Sequence, residues 1–506
     1  MKRIFYYALV LSVGLLSACK KDKKIIVAPG DTAVITPAAF DLIRDSVYLY
    51  TKETYLWYDA LPDYKTFAPR SFTGSDALTA LTSEVDKMSQ YKINPATGLP
   101  YEYYAAAPGE AKYSFIDDGS VSTELGGTNG DFGFSVFYNN LDHTDLRIKY
   151  VYDTSPASLA GIKRGYRITK INGRTSLNAD NNSDLNFVIA AIFGTSSTIS
   201  MTLLKPDNTS VDVTLKTATY TTNPVLTYKV INVSDTKKVG YIVFNTFTVV
   251  SNAGPQLLKA FTDFTTAGIT DLVVDLRYNG GGSVETAEYL DNLIAPASNT
   301  GNQMFTYYYN DKLQADNHPL LSAIYSINKG DFLPANNQVK FAKIGSLNIN
   351  RVFFIITGAT ASASELTINN LRPHMDVQFI GRTSYGKPVG FFAIDINKYQ
   401  LYVPQFETRN SANQGGYYSG MKPDTTGYPG VFDNDDVTKD FGDTSEVLLH
   451  HALNYVKNGT FAVTGPKIQS LSKTQALSDA QLKHVTDKLN NRKSTLMINE
   501  KTLRRK

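Results

Sequence analysis

Apolar positions along this chain keep a helical period at first and change to strand alternation near residue 126. From about residue 220 they settle into short apolar runs exchanged with amphipathic stretches. In the first region Phe40, Ile43, Val47, Leu49 and Tyr50 recur at near-helical spacing, while Asp41 and Asp45 keep one face polar. The pattern runs on through Trp57 and Tyr58 and stops at Pro62; a second helix is predicted over 77–88. Trp57 reads as a core anchor.

In the second region 131–137 alternates like a strand, 146–152 gives another, and 198–204 and 210–216 close a pair around Asp207-Asn208. Between them Pro156 opens a short helix that Gly161 ends, and Asn172-Gly173 marks a tight hairpin turn. The stretch 125–217 resembles a PDZ domain, with Phe132, Gly133 and Phe134 where that family's carboxylate-binding loop lies and 155–173 matching its most recognisable run. The resemblance implies capture of a peptide's C-terminal carboxylate by backbone N–H groups, with the tail added as a strand. Tyr166 stands where an aspartate is usual. Asp180 to Asp184 supply oxygen ligands but lack the glycine of a calcium loop, so a solvated loop is expected.

The third region predicts a buried strand at 239–244, a helix at 256–265 and a strand at 272–276. Gly280-Gly281-Gly282 and a helix through Leu293 follow, the grammar of an α/β sheet with right-handed crossovers. Three consecutive glycines expose backbone N–H groups at a helix start, an oxyanion site, or else form a plain turn. Residues 295–345 are polar and Asn- and Tyr-rich, and support no more than a long loop with short strands. A strand at 352–356 then runs into the small-residue corner 358–365, a helix ending near Pro373, a strand at 377–380 and a loop carrying Lys387. Strands at 392–396 and 399–403 and a helix at 445–456 complete this part; His450 and His451 point to different faces of that helix and make no metal pair. The polar, basic tail carries a predicted helix at 480–489 and no assigned function.

A length of 506 residues predicts two or three domains, and 42% hydrophobic with 19% charged residues predicts real cores. The net charge of +3 gives no argument for nucleic-acid binding. The lone cysteine, Cys19, excludes an intramolecular disulfide framework. Lys2 and Arg3, the apolar run 4–16 and Leu16-Ser17-Ala18-Cys19 look like a bacterial lipoprotein signal. Cys19 would then be the lipidated residue that anchors the chain to a membrane of the cell envelope, with 19–36 as a tether.

Three chemistries compete for the 351–390 stretch. Gly381 to Lys387 fits the spacing of a phosphate loop, but Pro388 replaces the hydroxyl residue and a strand pattern follows instead of a helix. Ser362-Ala363-Ser364-Glu365 fits a capping box, which would make Ser362 a helix cap. A serine at a strand-to-helix corner is also a candidate nucleophile, provided a base takes its proton; a buried lysine serves if burial keeps it neutral. His318, His374 and Asp376 offer a different triad.

Asp275 to Gly282, Thr360 to Glu365 and Thr383 to Lys387 together resemble the C-terminal processing (tail-specific) peptidases, serine–lysine enzymes with an inserted PDZ domain. The resemblance implies Ser362 as nucleophile, Lys387 as base, and oxyanion donors at Ala363, Gly281 and Gly282. It implies unfolded or tail-exposed proteins as substrates, and no metal or organic cofactor. Phe391 stands where the family usually has a glutamine four residues after the lysine, and Pro388 where it has glycine. The fold expected is multidomain α+β and α/β. Its parts are a signal peptide 1–18, the tether 19–36, a helical N-terminal domain 37–115, a PDZ-like β-rich domain 116–220, a crotonase-like α/β peptidase core 221–460 and a basic tail 461–506. A lipid-anchored peptide-binding protein with a worn-out core is the alternative.

Overall fold

The computed structural model describes residues 36–139, 142–461, 489, 495–500, 503 and 505–506. Cys19, its signal and most of the helix expected at 480–489 lie outside these residues.

Six strands build the central sheet, in the order Gly430–Phe432, Asp376–Gly381, Arg351–Ile356, Asp271–Asp275, Lys238–Phe244, Val225–Asn232. All neighbours run parallel except the last pair. Both faces are covered, which explains why these strands read as unbroken apolar runs. Val352, Phe354 and Ile356 point into the core that also holds helices Val250–Ala267, Val284–Ile294 and Ala363–Leu371. Phe353 and Ile355 point the other way, against helix Val447–Asn458. Residues of helices Pro37–Thr54 and Ala77–Ser89 share the first of these cores, so no break in packing separates the N-terminal helices from the sheet.

Residues 295–345 are more ordered than their polar composition suggests. Strand Gln303–Tyr309 pairs with Phe406–Asn410 and Gln338–Lys340, and buries Met304 and Phe305.

Strands Phe134–Asn139, Asp142–Val151, Arg167–Ile171, Thr198–Leu204 and Ser210–Lys216 form a separate five-stranded antiparallel sheet with its own core. Asn172 and Gly173 both take positive φ, 47° and 84°, as the tight turn requires. The solvated loop expected at 180–184 holds only at its start: residues 180–183 are exposed, but a helix begins within the stretch. Asn181 caps helix Asn182–Phe193, and Asp184 is buried, accepting from Ser176 Oγ at 2.6 Å and pairing with Arg174. Leu185, Val188 and Ile192, at helical spacing, supply the apolar face that decides this.

The tail also departs from expectation. Strand Leu496–Ile498 is buried and pairs with Gly281–Ser283, deep in the α/β region.

Candidate active site

Strand Arg351–Ile356 ends in a corner that is laced to the segment after strand Asp271–Asp275. Thr360 Oγ1 donates to the Leu276 carbonyl at 2.7 Å, and Ala361 N and Ser364 Oγ both donate to the Asn279 carbonyl at 3.0 Å. Ser362 sits at the turn with φ 62° and ψ −113°, a conformation that costs a non-glycine residue on the order of 1–3 kcal/mol. The expected capping box is present in outline, with Ser362 at the N-cap and Glu365 three residues on. Glu365 Oε2 accepts the Ser362 N–H at 2.9 Å, but among the described residues Ser362 Oγ has no hydrogen-bond partner despite complete burial. The serine is therefore strained, and its hydroxyl is buried without a partner among the described residues.

Lys387 is brought beside this corner by the loop after strand Asp376–Gly381. Glu365 does the holding: Oε1 accepts from Ser384 Oγ at 2.5 Å and Gly386 N at 2.8 Å, and Oε2 accepts from Lys387 N at 2.8 Å. Gly386 needs its φ of 84°, since a Cβ there would stand 2.4 Å from the Tyr418 carbonyl oxygen. No helix follows Lys387, which removes the phosphate-loop geometry.

Burial holds the Lys387 ammonium well below the usual lysine range, against the upward pull of Glu102 and Glu365; Lys112 pushes it lower still. Phe391, at the position where a glutamine was expected, lays its ring 4.0 Å from Nζ. Nζ donates to the Thr495 carbonyl.

Sequence reasoning missed a second group. Glu102, fully buried, accepts from Tyr55 OH at 2.5 Å, Ser114 N at 2.6 Å and Ser114 Oγ at 2.8 Å. Lys112 Nζ and Tyr113 OH donate to the Gly386 carbonyl at 3.1 and 2.6 Å, fixing the turn before the lysine. The local signal was slight: two charges and a tyrosine in a loop.

Of the expected oxyanion donors, Gly281 turns its N–H to Asn279 Oδ1 at 2.8 Å. A Cβ on Gly281 would stand 2.8 Å from Ala363 N and 2.1 Å from the Leu496 carbonyl oxygen, and one on Gly282 2.0 Å from the Phe247 carbonyl oxygen. Only glycine allows this approach. Phe132 and Phe134 are buried in the core of the five-stranded sheet, and Gly133 N donates to Asp131 Oδ1 at 2.7 Å. His318 bonds Ser322 and His374 bonds Asn299 and Ser411, while Asp376 pairs with Arg351; the alternative triad does not assemble. A cleft of about 1070 Å³ is lined by residues that include Asp131, Phe132, Lys149, Asn245, Gly281 and Thr495.

Residues 238–426, which carry Ser362, Lys387 and the glycine run, match peptidase family S41. That match covers well under half of the chain and marks this segment as similar to the family. A carboxyl-terminal-processing protease of Picosynechococcus is 25% identical over 236 residues, 46% of this chain and 48% of that protein. Carboxy-terminal processing protease CtpA of Bacillus subtilis is 24% identical over 234 residues, 46% of this chain and 42% of that protein. The chain thus matches about half the length of these curated relatives. A solved structure from Bacteroides fragilis described as an S41 protease is 25% identical, with a TM-score of 0.55, covering 82% of this chain and 97% of that one. The mixed α/β, multidomain fold is similar to that S41 structure.

Proposed function

We propose that this chain is a serine endopeptidase acting on unfolded or tail-exposed proteins through a Ser362–Lys387 dyad. The observation that carries the reading is the buried Ser362 Oγ, strained and, among the described residues, without a hydrogen-bond partner, stitched by Glu365 to a lysine that burial keeps toward its neutral form. Neutral Lys387 takes the hydroxyl proton as Ser362 Oγ attacks the peptide carbonyl carbon. The oxyanion is held by the Ala363 N–H and by N–H groups of the glycine run once these are released, that of Gly281 from Asn279 Oδ1 and that of Gly282 from the ladder with Leu496–Ile498. Lys387 then passes the proton to the leaving amine, and water releases the acyl group from Ser362.

In this reading residues 125–217 act as a PDZ-like module that delivers a substrate tail along the cleft lined by Phe132 and Gly281. A carboxylate at Gly133 displaces Asp131 from the N–H it now occupies. Cys19, lipidated, tethers the chain to an envelope membrane; labelled palmitate incorporated by cells making the full chain and lost in Cys19→Ala tests this.

Hydrolysis of an unfolded protein such as reduced, alkylated casein tests the dyad. The full chain cleaves it, and Ser362→Ala and Lys387→Met lose at least 10³-fold in rate. Equal cleavage by all three sinks the dyad. A non-catalytic peptide-binding protein is the second reading, favoured by one observation: Lys387 Nζ is bonded to Thr495 and, among the described residues, not to Ser362. Absence of cleavage under every condition selects it.

A further inference from the structure

Leu496–Ile498 meets the site as an extended segment bonded along both edges. On one side it runs parallel to Gly281–Ser283, in the register Gly281↔Leu496, Gly282↔Met497, Ser283↔Ile498, and Leu496 N donates to the Gly280 carbonyl at 2.8 Å. On the other side Phe391 N donates to the Met497 carbonyl and Asn499 N to the Phe391 carbonyl, both at 2.8 Å. All three side chains are buried, Met497 completely. The main chain also engages the chemistry: the Thr495 carbonyl accepts Lys387 Nζ, and the Leu496 carbonyl oxygen approaches Gly281 beside Ala363 N. Farther on, Arg505 pairs with Asp395 at 3.0 Å and Lys506 N donates to the Ile324 carbonyl at 3.1 Å, so the segment is clipped down beyond the site as well.

A structural strand alone has no need to present its carbonyls to a buried lysine, nor to lie against a glycine run that a Cβ would close. A strand between two backbone edges, with apolar side chains in dry slots, is how sheets capture extended peptides. We infer that the groove between Gly280–Ser283 and Phe391 is a peptide-binding site for extended segments with consecutive unbranched or branched aliphatic side chains, and that residues 495–499 fill it in cis. The occupant takes Lys387 Nζ through the Thr495 carbonyl, which withholds the base from Ser362. That regulatory half rests on the peptidase reading; the groove and its preference do not.

Peptide binding is measured in the full chain carrying Ser362→Ala, so that no cleavage intervenes. The probe is a fluorescein-labelled hexapeptide with the sequence of 495–500, Thr-Leu-Met-Ile-Asn-Glu. Adding Met497→Asp places a charge in the fully buried slot and evicts the segment, so the hexapeptide binds at least tenfold tighter than to Ser362→Ala alone. Equal affinity in the two, with the melting curve confirming a folded variant, overturns the groove. If Met497→Asp does not fold, hydrogen exchange in the Ser362→Ala chain decides. Excess hexapeptide competes with residues 495–499 and speeds exchange at Leu496 and Asn499 at least tenfold; unchanged exchange overturns the proposal. Met497→Asp with Ser362 intact cleaves casein at least tenfold faster than the native chain. Tighter peptide binding without any cleavage keeps the groove and overturns the peptidase reading instead.

Discussion

Ser362 and Lys387 are joined through a single atom: Oε2 of Glu365 accepts the backbone N–H of Ser362 at 2.9 Å and that of Lys387 at 2.8 Å. Two segments separated by a helix and a strand are thereby held to one carboxylate, whose other oxygen fixes Ser384 and Gly386. Glu365→Gln replaces one acceptor by an NH2 group that faces N–H donors. Leaving such buried groups unmatched costs about 2–3 kcal/mol. Urea unfolding should report that loss, and casein turnover should fall at least tenfold; native turnover in the variant would mean the dyad does not depend on this stitch.

Phe391 touches the amine of Lys387 face-on at 4.0 Å, where a ring stabilises the charged form by about 1–2 kcal/mol in a dry site. The proposed general-base role needs the neutral amine, so under that proposal turnover rises as pH climbs through the folded-state pKa of Lys387, which burial keeps well below the usual lysine range. Phe391→Leu keeps the apolar volume and removes the ring. The ammonium loses a stabilising partner, its pKa drops further, and the acid limb of the pH–rate profile moves to lower pH. A limb that stays in place, or moves up, contradicts the contact's assigned effect.

Arg277 occupies the centre of a buried charge cluster. Its guanidinium bonds Asp275 at 2.7 Å, Asp435 at 2.6 Å and Glu446 at 3.0 Å, and Glu446 in turn caps helix Val447–Asn458 by accepting from Leu449 N at 3.0 Å. Arg164, from the segment before strand Arg167–Ile171, reaches the same Asp435 at 3.2 Å and ties the five-stranded sheet to the α/β region. Arg277→Met leaves three carboxylates without their central cation. The expected loss is about 3–5 kcal/mol in urea unfolding, since breaking a buried pair strands its partners. A variant within 1 kcal/mol of the native chain would mean that Arg164 and water suffice for all three.

The Ser362 corner was legible because local chemistry writes it: an apolar strand, small residues at the turn and a helical segment that Pro373 ends. Lys387 became a candidate from its place in the loop after the next strand, and the family resemblance decided for it as base. Helix Asn182–Phe193 was readable from the spacing of Leu185, Val188 and Ile192, and was obscured by the run of polar residues at its cap. The partner of Gly281–Ser283 was not legible. Leu496-Met497-Ile498 is a three-residue apolar run in a basic stretch, and its pairing spans more than two hundred positions, a contact for which the sequence holds no local period. Glu102 and Lys112 were hidden for the same reason: their burial is decided by Tyr55 and Gly386, far away in the chain.

Glu84 offers a test of the N-terminal helices that is independent of the site. It lies in helix Ala77–Ser89, wholly buried, and among the described residues neither carboxyl oxygen has a hydrogen-bond partner. Burial pushes its pKa up to about 9, outweighing the downward pull of Arg44, while Asp45 adds to the rise. The unfolded chain releases this proton near pH 4.5 and the folded chain retains it to about 9, so stability falls as pH rises through that window. At pH 7 the deficit is roughly 3 kcal/mol, from about 1.4 kcal/mol for each unit between the unfolded pKa and the solution pH. Glu84→Gln carries no titrating proton at this position. Its urea midpoint should match the native chain near pH 4, exceed it at pH 8, and change less steeply between them. Glu102, Glu365 and Asp291, also raised by burial, leave a residual slope of the same sign. An unaltered slope in the variant would mean that Glu84 reaches solvent in the folded protein and ionises as it does in the unfolded one.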